Sequence, residues 1–163
     1  MTIRLWRPTE LPNLFPHDQD ARQLSRQAFL LSEFLIHKVE GYQPPRLPRK
    51  AVVHGHCHQK SFGAFKPVEQ VLRLVPGLAV EIIESSCCGM AGAFGYGTET
   101  YQASIEMAEL SLLPAVRRAD GATLIVADGT SCRHQIKDGT EREAIHVARV
   151  LAMSLASHSS TTG

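Results

Sequence analysis

The stretch Ala79-Val-Glu-Ile-Ile-Glu-Ser-Ser-Cys-Cys-Gly89 indicates both the type of fold and the chemistry of this chain. Its first half has the apolar, β-branched character of a strand, and this strand leads directly into a vicinal cysteine pair. Two other apolar segments do the same: residues 51–54 lead to Cys57, and residues 123–127 lead to Cys132. All four cysteines of the chain therefore follow predicted strands.

Helical segments alternate with these strands. We expect helices over residues 20–39, 67–74, 98–118 and 140–155. Pro114 is expected to bend or divide the third helix, and Thr140 with Glu143 fits a capping box for the last. The alternation predicts an α/β fold, a three-layer-like domain with a small parallel sheet and flanking helices. Because the carboxyl ends of parallel strands lie along one edge of a sheet, we expect the ligand site at that edge.

The chain divides into three predicted regions. Residues 1–19 are predicted to be an extended lead-in, because they carry three prolines and no periodicity. Residues 20–156 form a single cysteine-rich domain, and residues 157–163 form a disordered tail of mostly serine, threonine and glycine. Asp18 or Asp20 is placed to cap the first helix. The apolar face of that helix is expected to comprise Leu24, Ala28, Leu31, Leu35 and Val39.

The composition argues against several classes of function. A formal net charge of +1 and 6% aromatic residues give no sign of a nucleic-acid partner. The sequence shows no signal-peptide pattern and no apolar run that could insert into a membrane, so we expect a cytoplasmic protein. Disulfides are rare in that compartment, which makes metal or redox chemistry the better explanation of the four cysteines.

Cys57, Cys87, Cys88 and Cys132 form the candidate metal site. Four thiolates suit an iron–sulfur cluster or a zinc ion, although the usual spacing of structural zinc sites, with cysteines about two to four residues apart, is absent. Gly89 supplies the backbone freedom that would let two adjacent cysteines turn toward one centre. Buried and chemically inert cysteines are the plain alternative.

Histidines stand beside two of the cysteines. If the segment is extended, His54, His56 and His58 lie on one side of it and Cys57 lies on the other. These histidines could bind a metal, donate hydrogen bonds to sulfur, or carry protons for a substrate, and His56 and His58 are the catalytic candidates. His134, two positions after the last cysteine, is placed similarly. The alternative is a polar strand end that is hydrogen-bonded to nearby loops.

Three separated motifs, in order, resemble the cysteine-rich CCG domain. They are His54-Gly-His-Cys-His-Gln-Lys60, Cys87-Cys-Gly-Met-Ala-Gly-Ala-Phe-Gly-Tyr96 and Ala127-Asp-Gly-Thr-Ser-Cys-Arg-His-Gln-Ile136. This domain occurs in heterodisulfide reductase and in the iron–sulfur component of glycolate oxidase. The chain is most similar to the C-terminal part of fused FAD-linked oxidase/iron–sulfur proteins, and the resemblance spans about residues 10–156.

The resemblance implies an iron–sulfur electron-transfer domain, or a fragment, of an FAD-linked 2-hydroxy-acid oxidoreductase with D-lactate-like or glycolate-like substrates. It implies a 4Fe–4S cluster whose ligands would be Cys57, Cys87, Cys88 and Cys132. The residues expected beside these ligands are His54, Gly89 and His134. FAD would lie on a partner, namely a flavin-containing oxidase subunit, and a first CCG repeat and a ferredoxin-like domain would be supplied in trans. Membrane insertion is not expected, and any association with the inner membrane would be peripheral and through these partners.

The chain departs from the family pattern in two ways. Gly129 stands where the pattern has the first cysteine of a C-x-x-C pair, so we expect a four-thiolate or mixed cysteine–histidine site instead of a five-thiolate one. The chain also has one CCG repeat and no flavin-binding motif, so it is expected to be a split-off or truncated piece that is inactive alone. A zinc-stabilised, non-catalytic docking module and an inactive truncated fragment are the alternative interpretations.

Overall fold

The computed structural model describes residues 10–85 and 87–159. These residues form an α/β structure around a four-stranded parallel sheet with the strand order β2-β1-β3-β4. The strands are β1 (Lys50–His54), β2 (Ala79–Ile82), β3 (Leu124–Ala127) and β4 (Ala144–Ile145). The predicted α/β class and the small parallel sheet are confirmed, and β4 is an additional strand that the sequence analysis did not identify.

Nine α-helices flank the sheet within the described part of the chain. They are α1 (Glu10–Leu14), α2 (Gln19–Gln27), α3 (Leu31–His37), α4 (Cys57–Ser61), α5 (Phe65–Arg73), α6 (Tyr101–Glu109), α7 (Leu112–Arg118), α8 (Thr130–Thr140) and α9 (Val147–Ser159). Across residues 10–85 and 87–159, no helix is both long enough and apolar enough to cross a membrane.

Both faces of the sheet are covered, which gives the structure three layers. Val53 and Val126 belong to one hydrophobic core together with residues of α5 and α9. Val52 and Ile125 belong to the other core together with residues of α7 and α8. Because successive strand residues point to opposite faces, a strand that is covered on both sides must be apolar throughout. This requirement explains why β1 and β3 were visible in the sequence, whereas β2 is an edge strand with an exposed Glu81.

The strand order reverses beside β1, and this position is the topological switch point of the sheet. From β1 the chain crosses to β2 on one side, and it later returns across the sheet to β3 on the other side of β1. The connections that leave the carboxyl ends of β1 and β3 therefore diverge, and open parallel sheets bind ligands in the crevice at such a point. The segments that start from this crevice are α4 and α8.

The first predicted helix is interrupted. Instead of one helix over residues 20–39, the chain forms α2 and α3, which are separated where Ala28 is extended (φ −83°, ψ 115°). Asp18 caps α2 as expected, since its carboxylate accepts hydrogen bonds from two backbone N–H groups at the start of the helix. The predicted apolar face is wrong at Leu24, which is 59% exposed while the buried side of α2 contains Ala21, but Leu35 packs against the core as expected.

The two predicted terminal regions also differ from the structure. Glu10–Leu14 form α1, so this part of the lead-in is helical, and residues 1–9 lie outside the described residues. At the other end, α9 continues through Ser159, so the start of the predicted tail is helical. Residues 160–163 lie outside the described residues.

One helix prediction is confirmed and one is wrong. The helix expected over residues 98–118 is divided, as Pro114 predicted: α6 ends at Glu109, and Pro114 lies in the first turn of α7, where proline removes no helical hydrogen bond. The predicted start of the last helix is wrong. Thr140 ends α8 instead of starting the last helix, and Glu141 leaves α8 in the left-handed conformation (φ 59°). The next segment pairs with β3 as β4, so tertiary pairing overrides the local capping pattern.

Candidate metal centre

All the cysteine-bearing segments reach the carboxyl edge of the sheet. Cys57 is the first residue of α4, three positions after β1 ends, and Cys132 lies in the first turn of α8. Cys87 and Cys88 lie in the loop that follows β2. The topology thus gathers cysteines from three separate segments at one edge, two of them on helices that begin at the switch point.

The histidines around Cys57 do not alternate along an extended segment. β1 ends at His54, and the chain turns at His56, which is the N-cap residue of α4. The predicted placement of the three histidines on one side is wrong, because a helix begins at the cysteine itself. His54 is buried at the strand end, whereas His58 is exposed on α4.

His54, Cys88 and Cys132 form a buried group of metal-ligating side chains. One ligand atom from each residue lies within 4.8 Å of the ligand atoms of the other two. These residues are almost fully enclosed, with exposures of 1%, 3% and 0%. Imidazole and thiolate together suit zinc, and thiolates suit iron–sulfur clusters. His54, which the sequence analysis placed beside the ligands, therefore lies within this group.

The ring of His54 has one nitrogen engaged and one nitrogen free. Nδ1 is hydrogen-bonded to Ser85 Oγ at 2.8 Å. Nε2 is buried and has no hydrogen-bond partner among the described residues. A buried polar atom without a partner is rare in folded proteins and requires an explanation. A metal group held by the neighbouring thiols would supply the missing partner, so the residues present fit such a group.

Cys57 and Cys87 form a second pair of thiols, and both are half-buried. Burial raises the pKa of the Cys57 thiol, and the neighbouring Cys87 raises that pKa further. The backbone N–H of Gly89 donates a hydrogen bond to Cys87 Sγ at 3.3 Å. Charges on Cys57 and Cys87 also contribute to the raised pKa of Cys132, so the two pairs of thiols interact electrostatically.

The two buried thiols share a hydrogen bond that separates their pKa values. This bond from Cys132, together with the nearby imidazole of His54, lowers the pKa of Cys88 to about 4 against the opposing effect of burial. The same bond and burial raise the pKa of Cys132 above its usual range. Binding of a metal by both thiolates must displace the protons that the pair holds.

Gly89 allows the cysteine loop to fold closely against α6. Its φ is +87°, and a Cβ atom at this position would lie 2.0 Å from the carbonyl oxygen of Ser104. Gln135 Nε2 donates to the same carbonyl oxygen at 3.1 Å and to Ser104 Oγ at 3.0 Å. The loop, α6 and α8 therefore meet at one buried point directly after the vicinal cysteines.

Gly129 lies beside the thiols but contributes no donor side chain. It is the N-cap residue of α8. A Cβ atom at this position would lie 2.3 Å from His56 Cδ2 and 2.9 Å from Cys132 Sγ. The ring of His56 thus occupies the space that any larger residue at position 129 would need.

Polar side chains that the sequence analysis did not single out connect the segments of the site. Lys60 Nζ donates a hydrogen bond to the carbonyl oxygen of Ser85, whose hydroxyl is bonded to His54. Gln59 Nε2 donates to Asp128 Oδ2 at 2.9 Å and so links α4 to the segment before α8. Gln59 and Lys60 directly follow the His-Cys-His triplet, which was the available signal for them. Nothing in the sequence distinguishes Ser85 from its neighbours.

His56, His58 and His134 lie outside the buried group. The rings of His56 and His58 meet edge to face, with centroids 5.8 Å apart. His134 Nδ1 is hydrogen-bonded to Tyr96 Oη at 2.7 Å in an exposed position. Catalytic roles for His56 and His58, and a role for His134 beside a cluster, stay predictions.

The chain is similar to parts of proteins that are named as dehydrogenases. It is 35% identical over 112 residues to a subunit of the anaerobic glycerol-3-phosphate dehydrogenase of Escherichia coli (strain K12), a match that covers 68% of this chain and 27% of the relative. It is 32% identical over 111 residues to D-2-hydroxyglutarate dehydrogenase of Pseudomonas putida, covering 67% of this chain and 11% of the relative. The D-2-hydroxyglutarate dehydrogenase of Escherichia coli (strain K12) is 36% identical over 84 residues, 51% of this chain and 8% of the relative.

These matches cover a minor part of each relative. The chain spans 27% or less of the length of these curated proteins. No protein-family model matches the chain, and no solved structure matches it significantly. This chain is therefore similar to a part of larger proteins, each of which is a dehydrogenase or a dehydrogenase subunit by name.

Proposed function

We propose that this chain is an iron–sulfur electron-transfer domain of the CCG type, which works as part of an FAD-linked oxidoreductase for 2-hydroxy acids. The observation that carries the proposal is the arrival of cysteines from three segments at the switch point of a parallel sheet. Four thiolates are the ligand set that an iron–sulfur cluster commonly uses. These thiolates would come from Cys57, Cys87, Cys88 and Cys132.

The protein groups would hold the cluster and control its surroundings. An iron–sulfur cluster supplies one-electron transfer when it is bound. Cys88 and Cys132 would hold its buried side, and the half-buried Cys57 and Cys87 would hold the side nearer to solvent. The backbone N–H of Gly89 donates to Cys87 Sγ, and hydrogen bonds to ligand sulfurs are among the factors that set a cluster's reduction potential.

The relatives support a redox role within a larger assembly. The similar proteins are named as dehydrogenases or dehydrogenase subunits, and 2-hydroxyglutarate is itself a 2-hydroxy acid. Because the chain matches only a fraction of each relative, we place FAD, a first CCG repeat and a ferredoxin-like domain on partner domains or subunits. The chain alone would then carry electrons without oxidising substrate. It would do so in the cytoplasm, or at the inner membrane through those partners.

Anaerobic reconstitution of the full chain with ferrous iron and sulfide tests this proposal. We expect iron and acid-labile sulfide to bind in a fixed ratio, with a broad visible absorption that bleaches on reduction. Cys88→Ser and Cys132→Ser should abolish cluster assembly, because each removes a buried ligand. Met107→Ser is a matched control, since it removes a sulfur atom from an exposed position on α6. Stoichiometric uptake of zinc with no uptake of iron would contradict the proposal.

A zinc-stabilised docking module is the second candidate, and the compactness of the buried group favours it. The ligand atoms of His54, Cys88 and Cys132 lie within 4.8 Å of one another, a spacing that suits a single tetrahedral ion. Cys57 or Cys87 would then complete the site. This candidate predicts that chelation unfolds the chain and that loading with iron produces no visible absorption band.

A further inference from the structure

We propose that His54 is itself a metal ligand through Nε2, so that the centre is a mixed histidine–cysteine site and not a site of thiolates alone. The inference rests on the metal centre proposed above, but it does not require the metal group to be an iron–sulfur cluster. It assigns a direct role to a residue that the family resemblance places only beside the cluster.

The sheet fixes the position of His54. His54 is the last residue of β1, and in the parallel register it pairs with Ala127, the last residue of β3. The chain beyond Ala127 leads within five residues to Cys132. The pairing of the two central strands therefore sets the His54 ring and the Cys132 thiol side by side, and both are buried. This placement depends on strand register and not on a mobile surface loop.

Ser85 determines which ring nitrogen is available. Its Oγ lies 2.8 Å from Nδ1 of His54. When Nδ1 donates its proton to this oxygen, Nε2 carries a lone pair, and this is the form in which imidazole binds metals. Lys60 Nζ donates a hydrogen bond to the carbonyl oxygen of Ser85 and so holds the backbone of that residue in place. The partners of His54 therefore suit a metal-binding tautomer.

A hydrogen bond from Nε2 to a thiolate is the alternative role for this nitrogen. Nε2 makes no hydrogen bond of ordinary geometry to a described residue, but the side chain of His54 lies close enough to Cys88 to lower the pKa of that thiol through a hydrogen bond. His54 offers a ligand atom within 4.8 Å of both buried sulfurs, and Ser85 engages Nδ1, so Nε2 is the nitrogen left for a metal ion that the two sulfurs would share. Such an ion would form metal–nitrogen and metal–sulfur bonds of about 2.0–2.3 Å, and nitrogen spectroscopy separates this ligation from a hydrogen bond to sulfur.

Nitrogen spectroscopy on the intact chain tests the inference without any substitution. Protein with isotopically labelled histidine is reconstituted with iron and sulfide, reduced, and studied by pulsed electron paramagnetic resonance. We expect a strongly coupled histidine nitrogen, as for a directly bound imidazole. A protein with its full content of iron but without strong nitrogen coupling would overturn the inference.

Substitutions provide the second measurement. His54→Gln should remove the nitrogen coupling and most of the bound metal, whereas the matched variant His37→Gln, at an exposed histidine of α3, should change neither. Ser85→Ala keeps the ligand but removes the hydroxyl that orients the ring, so it should weaken metal affinity by about 10- to 100-fold while the coupling persists. Unchanged metal affinity in His54→Gln would contradict direct ligation.

Cobalt separates the failure of this inference from the failure of the proposed function. Co²⁺ accepts nitrogen and sulfur ligands, and its visible absorption bands report their number and geometry. If the chain assembles no iron–sulfur cluster but binds Co²⁺ in a manner that depends on His54, the proposed function fails and the assignment of His54 stands. If a cluster assembles on thiolates alone, the proposed function stands and the assignment of His54 is wrong.

Discussion

Gly89 and Ser104 approach each other so closely that no side chain fits between them: a Cβ atom on Gly89 would lie 2.0 Å from the Ser104 carbonyl oxygen. The contact joins the residue after the vicinal cysteines to α6. Gln135 of α8 donates a hydrogen bond to the same carbonyl oxygen, and α8 is the helix that carries Cys132. The contact is therefore linked to the position of that helix. The geometry of the thiols therefore depends on a glycine that carries no donor atom.

Gly89→Ala should destabilise the metal-free chain strongly. We expect the free energy of unfolding to fall by about 2–5 kcal/mol, because strain in the left-handed region adds to overpacking against α6. Gly92→Ala is the matched control, since Gly92 has a similar φ of +74° but open space around its missing side chain. The free energy of unfolding of Gly92→Ala should fall by about 1–2 kcal/mol, because this variant suffers backbone strain but no overpacking. Urea unfolding measures both values, and equal losses would disprove the role of the Ser104 contact.

The contact between Gly129 and His56 should appear as a coupling between two substitutions. Gly129→Ala brings a carbon within 2.3 Å of the His56 ring and 2.9 Å of Cys132 Sγ, so the ring must shift. We expect His56→Ala to relieve this clash, with a coupling energy of about 0.5–3 kcal/mol in a double-mutant cycle. Gly121→Ala, where nothing lies within 4 Å, should show no coupling to His56→Ala. Additive effects at positions 56 and 129 would contradict the contact.

The thiols of the metal-free chain should fall into two classes of reactivity. Cys57 and Cys87 are half-buried, whereas Cys88 and Cys132 are buried. Because burial raises the pKa of Cys57 and the thiolate is the reactive form, alkylation of Cys57 should accelerate as the pH rises above neutrality. The buried thiols should react only after unfolding. Peptide mapping by mass spectrometry checks this, and labelling of Cys132 as fast as that of Cys57 would be the contrary result.

Arg142 should stabilise the side of the sheet opposite to the metal centre. Its guanidinium donates hydrogen bonds to the carbonyl oxygens of Ala119 (3.0 Å), Asp120 (3.2 Å) and Thr123 (2.9 Å). Arg142→Ala should lower the free energy of unfolding by about 1.5–3 kcal/mol, as is typical of hydrogen bonds from charged groups. Arg118→Ala, at an exposed position of α7, should change it by about 0.5 kcal/mol or less. Similar losses in the two variants would contradict the role of Arg142.

Asp120 should contribute to stability in a pH-dependent manner. Hydrogen bonds from Thr123 and from the backbone N–H of Ala122 hold the pKa of Asp120 below its usual value. A carboxyl whose pKa is lowered by folding stabilises the protein above its unfolded pKa, and this contribution disappears as the pH falls through the folded pKa. Asp120→Asn should therefore be destabilising near neutrality and progressively less so in acid. Asp138→Asn, at an exposed position of α8, is the control, and a deficit of Asp120→Asn that is independent of pH would refute the prediction.

The central strands β1 and β3 were predictable because burial on both faces demands apolar residues along most of their length, whereas β2 at the edge of the sheet is partly exposed. β3 consists of four buried residues and stands out in the sequence for that reason. β4 has two residues, too few to produce a pattern, and its pairing with β3 was invisible. The capping-box pattern at Thr140 predicted a helix start that does not form, because pairing of the next segment with the sheet overrides the local capping preference.

The convergence of the cysteine-bearing segments was predictable from the sequence, but the positions of the histidines were not. Each cysteine was located by the strand before it, and parallel strands place their carboxyl ends together. Whether His54 or His56 faces the thiols depends on where β1 ends and α4 begins. The sequence alone is compatible with either histidine in that position. Ser85 acquires its role only from its 2.8 Å contact with His54.

By itself, the sequence determined the fold class and the edge of the sheet where the cysteines meet, because both follow from the order of apolar strands along the chain. Only the tertiary structure decided which side chains share the buried space. The register of His54 with Ala127 and the turn at His56 set distances between segments far apart in sequence, and no local pattern encodes such distances. For that reason His54 could be recognised as a member of the buried group with Cys88 and Cys132 only after the chain was folded.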